Sequence, residues 1–312
     1  MPATLAEGMD ALEAKLADWA EKRADIRVAI VVGSRARTDH PADDWADLDV
    51  ALATTKPKRY HANTGWIAEI APVWTMYKDP SGVTYHVLFE GGLDAGIAII
   101  PMTPVKLATR VLPALQRHPA ISRALPFGLG KGMQRQIDEA SEYYRRGVRV
   151  LLDKDGEAEK FLSLFPARST THKPPNARQF QQAIDEFWFK AVWTAKHLWR
   201  GEMWHARASG SEGRLRELLL QMIEWHAWSI HGLGYETWSD GRFLEEWADP
   251  RVLAHLPDAF GQYRASLIER GLVETADLFA WLSEETAENL GFDHSPELAQ
   301  TVGRWMTAHT PA

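Results

Sequence analysis

Apolar residues return every three or four positions between residues 3 and 24: Leu5, Met9, Leu12, Leu16 and Trp19. That spacing predicts an amphipathic helix. The pattern then changes to short, β-branched runs. Residues 26–32 (Ile-Arg-Val-Ala-Ile-Val-Val), 47–53, 67–75, 83–90 and 93–100 read as strands. Gly91–Gly92 between the last two predicts a two-residue hairpin turn. Met102 to Asp155 reads as helical, with an extended stretch at Val148–Leu152 as the alternative. The polar, proline-rich Pro166–Asn176 predicts a linker. From Ala177 to Met306 the pattern is helical almost throughout. Leu215, Leu218, Leu219, Met222 and Ile223, for example, form one apolar stripe. A mixed sheet followed by a helical bundle is an α+β architecture, with expected domains at 1–165 and 166–312. The sequence holds neither an internal repeat nor a low-complexity segment.

The composition narrows the function. Of 312 residues, 45% are hydrophobic, enough for two cores. The net charge of −7 argues against nucleic acid as a main partner, because phosphate binding needs a basic footprint. There is no cysteine, hence no disulfide or thiolate metal site, which fits a cytoplasmic setting. The first residues, Met-Pro-Ala-Thr-Leu-Ala-Glu-Gly, lack the basic and apolar regions of a signal peptide. No run of about 18 apolar residues predicts a membrane span. The 12 histidines show no zinc-ligand spacing, and His226 reads as a hydrogen-bonded core residue. Most of the 14 tryptophans read as core, with one or two left to line a cleft.

The chemistry concentrates in Gly33-Ser34-Arg35 and Asp47-Leu48-Asp49. The first is a small-residue turn after a strand, able to bring backbone N–H groups to a phosphate, with a helix start adding its positive end. The second puts two carboxylates on one face of the next strand. Paired hard oxygens suit Mg²⁺ held together with substrate phosphates. Either feature alone is common and is more often structural; their order and separation together point to a site for Mg–nucleoside triphosphate. Arg35 and Arg37 either face the triphosphate or are merely solvated.

The runs Ile26–Arg37 and Asp43–Val50 resemble the nucleotidyltransferase signature of the bacterial aminoglycoside 6-adenylyltransferases, the streptomycin adenylyltransferase family. Leu88-Phe-Glu-Gly-Gly, Pro101, Val148–Asp155, Asn176–Phe180, Asp185–Trp188, Lys196, Arg200, Glu202 and Arg216–Trp225 also resemble that family in type and spacing. The likeness spans roughly residues 10–290. It implies a polymerase-β-like nucleotidyltransferase domain followed by a helical substrate-binding domain. It also implies transfer of AMP from ATP to a hydroxyl of a cationic aminoglycoside, with release of pyrophosphate. Asp47 and Asp49 would hold Mg²⁺, and Gly33, Ser34, Arg35 and Lys196 would bind nucleotide. Asp185, Glu186 and Trp188, near the start of an aromatic-rich helix, would meet the acceptor. The family is expected to add a third carboxylate from the second hairpin strand. An ungapped reading puts Gly96 there, whereas a shortened hairpin makes Asp94 the third acid. Both readings fit the sequence. The rival functions are a nucleotide-binding sensor on the same scaffold and an adenylyltransferase with a different acceptor. Arg214 and Arg216 read as solvated. Oligomeric state is not legible.

Overall fold

The computed structural model describes residues 4–117, 144, 146–163 and 172–309. The chain divides into two compact units, Met1–Arg168 and Ser169–Ala312. The boundary expected between residues 165 and 166 lies outside the described residues, as do residues 166–171 of the expected linker; residues 172–176 are irregular.

The first helix, α1 (Leu5–Glu21), starts where its sequence can satisfy its end. Thr4 Oγ1 accepts from the Glu7 N–H, and the Glu7 carboxylate accepts from the Thr4 N–H, both at 3.2 Å. This reciprocal capping box fulfils two donors that a helix otherwise leaves unpaired. The buried stripe Met9, Leu12, Leu16 and Trp19 then lays α1 on a sheet.

That sheet has six strands in the order β3-β4-β5-β2-β1-β6. They are β1 (Ile26–Val32), β2 (Leu48–Thr54), β3 (Val73–Lys78), β4 (Thr84–Phe89), β5 (Leu93–Pro101) and β6 (Arg149–Asp153). β2 and β5 run parallel and every other pair is antiparallel. One face carries Leu48, Val50, Leu52, Ile97 and Ile99 against α1, α2 (Pro57–Ala62) and α3 (Gly65–Ala68). The opposite face carries Val28, Ile30, Ala51 and Ala53 against α4 (Met102–Arg117) and α5 (Ala158–Leu162). Alternation with period two separates the two cores.

Several expected boundaries shift. Residues 65–68 are helical, so 67 and 68 are not the strand expected there, because Trp66, Ile67 and Ile70 recur at helical spacing and Trp66 Nε1 donates to the Tyr60 carbonyl at 3.1 Å. The strand expected at 67–75 is therefore β3, beginning after Pro72. The hairpin turn holds three residues, Glu90–Gly91–Gly92, because Phe89 pairs with Leu93. Both glycines have positive φ, 89° and 77°, a region costly for side-chain-bearing residues. The extended alternative near Val148 is realised as β6 on the sheet edge. Of the helix expected from Met102 onward, α4 is present and residues 118–143 lie outside the described residues.

The Asp153-Lys154-Asp155 run has structural partners. Asp153 caps α5, accepting from the Glu157 and Ala158 N–H groups at 3.1 and 3.0 Å. Lys154 Nζ donates to the carbonyls of Glu21 and Arg23 at 2.6 and 3.0 Å, at the end of α1. Asp155 accepts from Arg27 and pairs with Lys106 at 2.9 Å; both cations hold its carboxyl well below the usual range.

The second unit is helical: α6 (Ala177–Trp199), α7 (Met203–Ala206), a π-helical segment Arg207–Arg214, α8 (Leu215–His231), α9 (Leu244–Trp247), α10 (Pro250–Ala259), α11 (Ala265–Leu290) and α12 (Glu297–His309). Asn176 and Gln179 form a capping box on α6, at 2.9 and 3.0 Å. The stripe from Leu215 to Ile223 is buried as its spacing predicts. Phe187 of α6 stacks on Phe279 of α11 with ring centroids 3.6 Å apart at the centre of this core. His226 is 1% exposed and its Nε2 lies 3.0 Å from Glu285 Oε2, the hydrogen-bonded core histidine its position predicts. Among the described residues, no helix is long and apolar enough to cross a membrane.

Candidate active site

The face of the sheet beneath α4 and α5 carries the candidate acids at its far end, where β2 and β5 begin. Strand pairing sets Val32 against Asp49 and Asp49 against Gly96. Asp49 therefore sits between β1 and β5, on the same face as Ala51 and Ala53. Asp47 lies one residue ahead of β2 rather than within it. The antiparallel pairing with β1 stops at Val32–Asp49 because the chain turns away at Gly33, whose φ is +72°.

Gly33 packs directly on the acid: a Cβ at Gly33 would lie 2.8 Å from Asp49 Oδ2. The turn Gly33–Arg35 is a single 3₁₀ turn, closed by the Ala36 and Arg37 N–H groups donating to the Gly33 carbonyl at 3.1 Å. It does not continue into a helix, so the expected positive helix end is absent and only the local N–H groups remain. Ser34 Oγ is shielded from solvent and has no hydrogen-bond partner, which leaves a donor and acceptor within the turn. Arg35 points elsewhere. Its side chain is 9% exposed, pairs with Asp10, and lies 3.6 Å from Glu13, both on α1. Glu13 is also held by Arg149 at 2.5 Å, and these two cations pull its carboxyl below the usual range.

The two readings of the third acid acquire a geometry. Gly96 is the residue directly across from Asp49, and a Cβ there would lie 2.5 Å from Asp49 Oδ1. Asp94 stands two residues earlier on the same face, pairs with Leu88, and is next to Asp47. Burial, then the negative charge of Asp47, push the Asp94 carboxyl above its usual range. Gly33, Ser34, Asp47, Asp49 and Asp94 thus converge at one end of the sheet.

The donor set fits a hard divalent cation in one respect. Asp47 and Asp49 offer carboxylate oxygens beside the Gly33–Arg35 turn, and Mg²⁺ takes few protein carboxylates when phosphates complete its shell. Among the described residues, no group of three or more His, Asp or Glu is arranged to hold a metal without such help.

The helical unit places its candidate residues on α6. Asp185 and Glu186 lie in the third turn of that helix, not at its start, so they do not complement its N-terminal end. Asp185 is exposed and accepts from Gln181 Nε2 at 2.9 Å. Glu186 accepts from Arg214 Nε and Nη2 at 2.6 and 2.8 Å, and this pairing holds its carboxyl below the usual range. Arg214 also bonds Glu217 at 2.9 Å, so it is a bidentate clamp rather than a solvated side chain. Arg216 is likewise not simply solvated, since it lies 3.5 Å over the Phe260 ring. Trp188 is 4% exposed and packs edge-on against Phe187 and Phe279. Lys196 is exposed, with Nζ 5.5 Å from the Trp305 ring centroid. Asp185, Trp188 and Lys196 border one depression of about 480 Å³, floored by Trp193 and Val302.

Sequence reasoning passed over Tyr77 and His86, which the register places on the acid-bearing face. The signal was parity along β4, but it is readable only once the pairing with β5 is known.

Comparison with known proteins follows the whole chain. The chain is 23% identical to an aminoglycoside 6-adenylyltransferase of Bacillus subtilis (strain 168) over 291 residues, 89% of either protein. It is 21% identical to the Campylobacter jejuni protein of the same name, over 86% of this chain and 84% of that one. The crystal structure of an aminoglycoside 6-adenyltransferase from Bacillus subtilis superposes with a TM-score of 0.39 at 17% identity, covering 96% of each chain. The family model for streptomycin adenylyltransferase matches residues 9–100 and 133–309, taking in the acid-bearing strands and the helical unit alike. With its match running through both units, the chain belongs to the streptomycin adenylyltransferase family.

Proposed function

We propose that this protein transfers AMP from ATP to a hydroxyl of an aminoglycoside, releasing pyrophosphate, in the cytoplasm. The observation that carries the reading is the packing of the Gly33–Arg35 turn against Asp49, with Asp47 beside it. A phosphate-accepting turn and paired carboxylates side by side suit nucleotidyl transfer.

In this reading Asp47 and Asp49 hold Mg²⁺, which when bound would neutralise triphosphate charge and favour departure of pyrophosphate. Gly33 brings its backbone close to the phosphates, and the unpartnered Ser34 hydroxyl hydrogen-bonds a phosphate oxygen. Asp94 adds negative charge beside Asp47. Catalysis of this kind is largely positioning and charge stabilisation. On the helical unit, exposed Asp185 offers a carboxylate to a cationic acceptor, and Lys196 offers a cation to the nucleotide. Glu186 meets a cationic acceptor only by sharing or leaving Arg214, and Trp188 contributes an edge rather than a face. Names of the relatives favour an aminoglycoside over other polyols, and the net charge of −7 agrees with a cationic small molecule rather than nucleic acid.

The test is pyrophosphate release by the purified protein with Mg²⁺ and ATP against streptomycin and other aminoglycosides, using Asp49→Asn as the blank. Release with one acceptor and none in the blank is the expected result. Absence of release across the panel, with ATP still binding calorimetrically, would replace this reading with a nucleotide-binding sensor or a different acceptor.

A further inference from the structure

Helix α8 starts afresh after a kink at Gly213 (φ −97°, ψ −114°), and no side chain caps it. A cation in its first turn meets the positive helix end and is disfavoured there, yet Arg216 occupies that turn. Glu217 of the same turn is held by Arg214 at 2.9 Å. Arg216 is partly buried, and among the described residues it donates no hydrogen bond and forms no ion pair. Every other partly buried arginine among them has a carboxylate or carbonyl partner. The Arg216 guanidinium carbon lies 3.5 Å from the centroid of the Phe260 ring, on the ring face. Stacked in this way, its N–H groups, which lie in the guanidinium plane, stay free for an acceptor at the edge. Glu212, whose charge reaches Arg216, is already paired with Arg207. Two guanidinium groups thus share one carboxylate, and one positive charge is left over. Burial holds the Arg216 guanidinium below the usual arginine range, whereas its partner holds Arg207 above it. A partly buried charge without a counterion is costly until an anion supplies one.

The surface beside this charge is aromatic. Phe260 is 51% exposed, Tyr263 48% and Trp204 74%. Tyr263 ties the group together: its ring centroid lies 6.2 Å from that of Trp204 and 5.9 Å from the Arg207 guanidinium carbon. We propose that the helical unit binds a nucleoside phosphate here, with a phosphoryl group on the free edge of Arg216 and the base against Trp204 and Tyr263. A guanidinium fork matches two phosphate oxygens at once. Exposed aromatic rings stack on the π-face that every base has. The site is built from residues of the helical unit alone, so the inference goes beyond the adenylyl-transfer reading and holds for any acceptor. The nucleotide is either the reacting ATP or a second one, and the experiment separates the two.

The experiment is calorimetry of pyrophosphate and ATP on the full chain, in EDTA so that no divalent cation assists the carboxylates of the first unit. Arg216→Met keeps the apolar contact with Phe260 and removes the fork; it should weaken both ligands about 10- to 100-fold. Arg216→Lys should recover part of that loss, and it keeps the test decisive if thermal unfolding shows that Arg216→Met melts early. Trp204→Ala should weaken ATP about 5- to 100-fold and leave pyrophosphate within about twofold. Kinetics with Mg–ATP and an acceptor then identify the nucleotide. A raised ATP KM in Arg216→Met supports the reacting ATP at this site. An unchanged KM, with loss of a second bound ATP per chain, supports a separate nucleotide. Wild-type affinity for both ligands in Arg216→Met would overturn the proposal, and adenylyl transfer stands if that variant still releases pyrophosphate. Wild-type ATP affinity in Trp204→Ala would overturn the placement of the base. A wild-type protein that binds neither ligand overturns the site outright, while pyrophosphate release with Mg²⁺ judges the adenylyl-transfer reading separately.

Discussion

The Asp49 carboxylate occupies the space in which a side chain on Gly96 would begin, with Oδ1 2.5 Å from that Cβ position. Real Cβ contacts do not come this close, so the acid and the glycine are mutually dependent. Gly33 approaches the same carboxylate from the opposite strand, at 2.8 Å from its own Cβ position to Oδ2. Two bare backbones therefore flank one aspartate and fix the orientation it takes.

Gly96→Ala should displace Asp49 without unfolding the first unit. The backbone at Gly96 is ordinary strand, and the clash falls on a carboxylate that can rotate. A displacement near 1 Å in a positioning site lowers turnover by about 100-fold. Steady-state kinetics and thermal melting on the same preparation check this; wild-type kcat would mean that the Asp49 orientation does not matter.

Asp47→Asn and Asp49→Asn should each reduce pyrophosphate release by more than about 1,000-fold. Neither change removes an apolar contact, so melting temperatures should stay close to wild type. Full activity in either variant would remove the cation site from the mechanism.

In the helical unit, Gly210→Ala should destabilise the fold. The π-helical segment brings Gly210 so close that a Cβ would collide with the buried Thr194 hydroxyl on α6. Overpacking of this kind costs about 1–3 kcal/mol. Urea unfolding checks the loss, and Thr194→Ala in the same chain should recover part of it.

Glu224 on α8 supplies a pH-dependent prediction. Burial, then the charge of Asp240, push its carboxyl up to about 7 from 4.5. Between these values the folded chain holds a proton that the unfolded chain has lost, so stability present below pH 4.5 is lost progressively up to pH 7. The isosteric Glu224→Gln removes the ionised form. It should nearly match wild type at pH 4.5 and exceed it by about 3 kcal/mol at pH 8. Denaturant unfolding at the two pH values checks the sign, and equal stabilities at pH 8 would contradict it.

Local pattern was a sound guide wherever one element decides its own fate. The helical stripe of α1, the strand Ile26–Val32 and the stripe from Leu215 to Ile223 follow from spacing alone, because burial of one face is a property of the segment. Misreadings fell where a neighbour decides. Ile67 and Ala68 were read as strand because a short apolar run does not distinguish a buried turn of helix from an extended segment. Arg35 was assigned to phosphate because nothing near it in sequence reveals Asp10 and Glu13, which reach it from α1. Glu186 similarly finds Arg214 across 28 positions of chain.

The sequence by itself determined the two-part α+β organisation, the turn at Gly33, the paired acids at Asp47 and Asp49, and the family resemblance, since these reside in residue type and short-range period. Tertiary structure alone decided that Gly96 faces Asp49, that Asp94 stands beside Asp47, and that His86 joins their row. The physical reason lies in the hydrogen-bond ladder between strands. It fixes which residues meet across the sheet through pairings 10 to 47 positions apart, and shifting a register by one residue would send each of these side chains to the other face.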